Sequence, residues 1–124
     1  MVAFKRVFAV VPAHDLARVR DFYEGVLGLT AEPVTTDGVL YALGDSRLFL
    51  YPTASAGTGG HTVASFEVED IHAAMADLRG HGVVFEEYDV PGLKTVQGVA
   101  ELEGELAAWF CDSEGNIVAI GQLR

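Results

Sequence analysis

The histidine and cysteine side chains able to move a proton or hold a metal are few and scattered. The chain has four histidines and one cysteine among 124 residues. His61 opens the segment "HTVASFEVED", and Glu67 follows six residues later. On an extended strand both point to one face, but six residues of strand hold them roughly 20 Å apart, too far to chelate one ion. Imidazole titrates near neutral pH, so His61 suits a general acid, a general base or a hydrogen-bond anchor. The plain alternative is an exposed strand-start histidine beside Gly59 and Gly60. His72 and His81 lie nine apart on or just past a helix, and His14 sits at a strand-to-helix turn. Cys111 has Asp112 beside it and no basic neighbour in sequence, and it reads as a small hydrophobe rather than a nucleophile. His61, Glu67 and the phenol of Tyr51 are the catalytic candidates.

The elements that must position these residues form a repeat. The apolar run at 7–11 is followed by Asp15, which opens a helical pattern with Leu16, Val19, Phe22, Tyr23 and Val26 before Gly28 ends it. The run at 62–68 is followed by Asp70, then Ile71, Ala74, Met75 and Leu78, closed by Gly80 and Gly82. Each aspartate caps its helix and suits the positive end of the helix dipole. Strand-like runs at 29–35, 38–43 and 46–52 follow the first helix, and runs at 83–89, 99–111 and 116–121 follow the second, with turn residues between them. The fold class expected is α+β. Two βαβββ modules, about 1–52 and 61–124, pair into one curved mixed sheet around a cleft, with helices outside. The linker is 53–60, "TASAGTGG", small and flexible in composition. The two modules form a single domain, since neither alone covers its sheet.

Alternation divides the strands into two faces. Val7, Ala9, Val11, Ala64, Phe66, Val68, Val118 and Ile120 make a packing face under the helices. The other face carries Arg6, Phe8, Val10, His61, Val63, Ser65, Glu67, Ile117, Ala119 and Gly121. With Phe49, Tyr51, Trp109 and Tyr41 it has the apolar and aromatic make-up of a small-molecule pocket. The loop at 90–98, "VPGLKTVQG", is either a lid offering Lys94, Thr95 and Gln97 or a long hairpin connection.

Composition limits the partners. A formal charge of −10 repels a phosphate backbone, and no basic stripe offsets it, so nucleic acid and anionic membranes are excluded as expected partners. The run at 7–11 is too short for a signal-peptide core or a membrane span. A single cysteine gives no internal disulfide, and a cytoplasmic location is the default expectation.

Three stretches, "DLARVRDFYEGVLGL" (15–29), "FEVEDIHAAMADLRGHGV" (66–83) and "WFCDSEGNIVAI" (109–120), resemble the vicinal oxygen chelate superfamily, which includes glyoxalase I, bleomycin-resistance proteins and extradiol dioxygenases. The resemblance spans nearly the whole chain and implies the glyoxalase/bleomycin-resistance fold. It also implies where a metal would be held. The first and third donor positions, seven residues before each helix-opening aspartate, are Phe8 and Val63, and the last is Ala119. None has a donor atom. The remaining position falls near 49–51, where only Tyr51 offers an oxygen. No metal and no cofactor are therefore expected.

The resemblance then implies a metal-independent protein that binds a small aromatic or amphipathic molecule, as the bleomycin-resistance members sequester theirs. Phe8, Phe49, Tyr51, His61, Val63, Trp109 and Ala119 are the expected ligand-binding residues. A metal-free lyase, isomerase or cyclase using His61, Glu67 or Tyr51 is the alternative, and a glyoxalase- or dioxygenase-like metalloenzyme with displaced ligands is a third reading. The resemblance further implies a homodimer, with clefts that two chains can share, and a bacterial-type resistance role.

Overall fold

The computed structural model describes residues 1–32 and 37–124. Strand β1 (Ala9–Ala13) buries Val11 and Ala13 on one face, as a period of two requires. Asp15 ends the strand and caps α1 (Leu16–Arg20), its carboxylate accepting the Arg18 N–H at 3.0 Å. The helix does not stay α. Residues Asp21–Val26 form a π-helical turn, in which the Leu27 N–H reaches the Phe22 carbonyl at 3.0 Å. The wider turn lets Tyr23 enter the first module's core while Val26 packs toward the second's, with Phe22 and Leu27 against both. Helix α2 (Ile71–Gly80) repeats the start, with Asp70 accepting the Ala73 N–H at 3.1 Å. Its Ile71, Met75 and Leu78, spaced i, i+4, i+7, are buried.

Each module builds its sheet in the same way. In the first, β1 runs parallel to β3 (Ser46–Pro52), and β2 (Val39–Leu43) pairs antiparallel on the far side. In the second, β4 (Thr62–Glu67) runs parallel to β9 (Ile117–Leu123), followed by antiparallel β8 (Glu105–Cys111) and β7 (Ala100–Glu101). The two sheets meet where β1 approaches β4. This is the α+β architecture of paired modules that the repeat predicts.

Details depart from the expected strands for local reasons. The run at 99–111 is split at 102–104, where the Leu102 N–H donates to the Glu105 carbonyl and folds β7 back on β8. The run at 83–89 keeps only the bridge Phe85 to Phe110 and Asp89 at its end, because Val83 and Phe85 are drawn into the core under α2. Part of the run at 29–35 and of the turn after it lies outside the described residues; Ala31 bridges Tyr41. A short hairpin of β5 (Asp89–Val90) and β6 (Leu93–Lys94) opens the loop at 90–98.

The acidic turn at 112–116, between β8 and β9, ties the two modules together. Glu114 has a fully buried side chain that accepts the backbone N–H groups of His14 and Asp15, each at 2.8 Å, and the Arg18 guanidinium at 2.7 and 3.1 Å. Asp112 accepts the buried Tyr23 hydroxyl at 2.8 Å and the Glu114 and Asn116 N–H groups at 2.9 Å. Asn116 donates to the Pro12 carbonyl and accepts the Gly57 N–H. The linker is therefore pinned despite its composition. Ala56 is buried and its carbonyl meets His14 Nε2 at 2.9 Å, while a Cβ on Gly57 (φ +74°) would stand 2.6 Å from the Glu114 carbonyl.

Burial alone would raise the Glu114 pKa. The Arg18 guanidinium, the Asp15 N–H, the Ser113 hydroxyl and the His14 N–H outweigh it and hold the carboxyl at about 2, below the ordinary 4.5. A depressed folded-state pKa contributes stability above the unfolded value and loses it as pH falls from 4.5 toward 2. We expect Glu114→Gln to cost about 2 kcal/mol in urea denaturation at pH 7, a figure discounted for the solvent reaching Arg18. That gap should close as the titration approaches pH 2. A variant as stable as the parent at pH 7, or a gap independent of pH, would refute the clamp.

Candidate functional site

The packing of both helices on one side of the sheets leaves the other side without a helical cover. Register places Val10, Phe49 and Leu40 side by side across the first sheet, with Pro12 beside Tyr51. Across the second it aligns Ser65, Ala119 and Trp109. Phe49, Tyr51 and Trp109 are half-buried although no helix covers them, and Ala119 is buried between its neighbouring strands. Tyr88 meets Trp109 edge to face at 5.6 Å. The result is an aromatic platform with small residues at its centre.

Val63 departs from the alternation. The register shifts between Thr62 and Ala64, so Thr62 pairs with Ile117 while Ala64 pairs with Val118. Val63 is the extra residue of this bulge, and its side chain packs against both helix-side cores. His61 is exposed at the strand start, its Nδ1 3.2 Å from the neighbouring Thr62 carbonyl and its ring against Gly59. Glu67 is exposed at the other end of β4, so the structure does not bring these two together. Thr95 is buried, with its hydroxyl accepting the Tyr88 N–H at 2.8 Å, while Lys94 and Gln97 are exposed.

A well-formed apolar groove lies elsewhere. It has a volume of about 760 Å³ and sits on the helix side of the β1–β4 seam, walled by Leu27, Leu29, Leu43, Phe66, Leu78 and Phe110. Of the expected ligand-binding residues only Phe8, 45 % exposed, lines it, and Glu67 lies on its rim with Arg47 and Asp77. Alternation places only Phe66 of these walls on the packing face under the helices, and a gap that opens over that face leaves no mark on strand periodicity. Tyr88 also escaped the sequence reading, because its segment forms no regular strand.

The donor chemistry does not fit the metal that the fold would hold. Phe8 and Ala119 offer no donor atom, and Val63 offers none and is turned into the core. Among the described residues, no group of three or more His, Cys, Asp or Glu side chains is placed to hold a metal ion. Nor is Cys111 an activated thiol. Partial burial and the Glu86 carboxylate, 3.5 Å from the sulfur, both raise its pKa.

The fold is that of a two-module α+β protein with aromatic side chains on the sheet face away from its helices. The chain belongs to the Glyoxalase/Bleomycin resistance protein/Dioxygenase superfamily, whose model matches residues 5–116. No curated protein matches it significantly. Among solved structures it is similar to TnmS3, an antibiotic binding protein from Streptomyces sp. CB03234, at 21 % identity over all of both chains with a TM-score of 0.71. It is also similar to a putative glyoxalase family protein from Bacillus anthracis, at 13 % identity over all of both chains and a TM-score of 0.73. A lactoylglutathione lyase from Agrobacterium tumefaciens aligns over 94 % of this chain and 92 % of its own, at 18 % identity and a TM-score of 0.70. These likenesses establish the fold. No helix among the described residues is long and apolar enough to cross a membrane.

The donor set yields a direct expectation. After incubation with nickel, zinc, manganese or iron and desalting, elemental mass spectrometry should find less than about a tenth of an equivalent per chain. A full retained equivalent would show that other side chains hold a metal.

Proposed function

We propose that this chain acts as a single two-module domain that binds a small aromatic or amphipathic molecule on its aromatic sheet face without a metal, sequestering it unchanged. One observation carries the reading. The three positions that would supply metal donors are filled by Phe8, Val63 and Ala119, while Phe49, Tyr51, Trp109 and Tyr88 supply flat apolar surface with polar edges. The similarity to TnmS3, described as an antibiotic binding protein, supports the same class of ligand. His61 has no activating partner among the described residues, which favours binding over proton transfer. A homodimer working in the cytoplasm, and a resistance role, belong to this reading.

The sole tryptophan is a built-in reporter. Titration with bleomycin and a panel of flat aromatic antibiotics should include a compound that changes Trp109 emission saturably at one per chain, equally with and without EDTA. Tyr51→Ala should weaken that compound by about tenfold, the usual effect of truncating an aromatic anchor. Binding that vanishes with EDTA, or release of a chemically altered compound, would contradict the proposal.

A further inference from the structure

The apolar groove on the helix side belongs neither to the aromatic sheet face nor to the Glu114 turn. It opens along the seam of the modules, where β1 edges one sheet and β4 edges the other with no ladder between them. Its deepest walls are Phe110 and Ile120, at 0 % and 3 % exposure. Folded interiors carry few voids larger than a water molecule. A groove of about 760 Å³ is far larger than a packing gap and has the size and apolar make-up of a small-molecule site.

The polar groups at its rim select the charge of an occupant. Glu67, at the end of β4, and Asp77, on α2, are exposed and make no ion pair among the described residues. Arg47, the cation in the lining, is already engaged: its Nε lies 3.2 Å from the Glu32 carboxylate, and its Nη1 donates to the Ser46 carbonyl at 3.0 Å. Two carboxylates without a counter-charge, beside apolar walls on a chain of net charge −10, attract a cation and repel an anion. The walls select its shape. Leu27, Leu29, Leu43 and Leu78 offer no flat stacking plane, in contrast to Trp109 and Tyr88 on the sheet face, so a compact aliphatic body fits them better than a flat ring.

We propose that this groove is a second ligand site, one that takes a compact aliphatic molecule bearing a protonated amine. Its apolar body lies between Leu27 and Leu78, and its ammonium sits in the field of Glu67 and Asp77. The site is on the opposite side of the sheets from Trp109, so it goes beyond the functional reading and does not rest on it.

Two-dimensional amide NMR of the full chain tests the site, with adamantylamine as the probe and adamantanecarboxylate, the same cage with the opposite charge, as its control. The amine should shift the Phe66, Ala74 and Leu78 amides saturably and leave the Trp109 indole N–H unmoved. The carboxylate should bind at least about tenfold more weakly, and Glu67→Gln/Asp77→Asn should weaken the amine by about tenfold without weakening the carboxylate. Both substituted positions are exposed, so the fold tolerates the changes. Equal binding of amine and carboxylate, an unchanged amine affinity in the double variant, shifts centred on Trp109, or no saturable shift at millimolar amine would each overturn the proposal. The antibiotic titration of Trp109 reads the other face, so failure of one site is distinguishable from failure of the other.

Discussion

The buried carboxylate of Glu114 is the constraint on which the molecule is organised. A charge with no solvent exposure is tolerated only when its oxygens are satisfied, and here two backbone N–H groups, a guanidinium and a hydroxyl do so. All but the Ser113 hydroxyl belong to the first module, whereas Glu114 belongs to the last turn of the second. Asp112 and Asn116 extend the arrangement to Tyr23, Pro12 and Gly57. The turn between β8 and β9 thereby fixes where β1 ends, where α1 begins and how the linker runs.

That constraint explains why the closing hairpin keeps its form with alanine at 119, where the family resemblance implies a metal donor. Val118 and Ile120 pack under the helices, the acidic turn holds the modules, and neither task involves the residue at 119. The opposite face is free to carry Trp109 beside a small alanine, which favours stacking against a flat ligand over coordination. Structure and chemistry have separated along one strand, a residue apart.

Much of the architecture was legible because it rests on period and punctuation. The aspartates at 15 and 70 mark both helix starts, and strand alternation assigns Val11, Val118 and Ile120 to the core. What escaped depends on long-range partners. Glu114 reads locally as a surface turn residue, since His14, Asp15 and Arg18 are about a hundred positions away in sequence. The bulge at Val63 shifts a face by one residue without any glycine or proline to announce it. The π-helical turn at Asp21–Val26 answers to two cores at once, which the α-periodicity of a single helix does not encode. The groove arises where Leu27 and Leu29, just past the π-helical turn, stand apart from Ala74 and Leu78 of α2, a tertiary distance.

Native mass spectrometry of the chain with its best-binding aromatic compound tests metal-free sequestration most directly, since one spectrum reports stoichiometry, bound metal and the ligand's own mass. The expected species is one intact ligand per chain, with no metal ion in the complex and the compound recovered at its original mass after release. A complex that forms only with a divalent ion bound, or a ligand recovered with an altered mass, would contradict it.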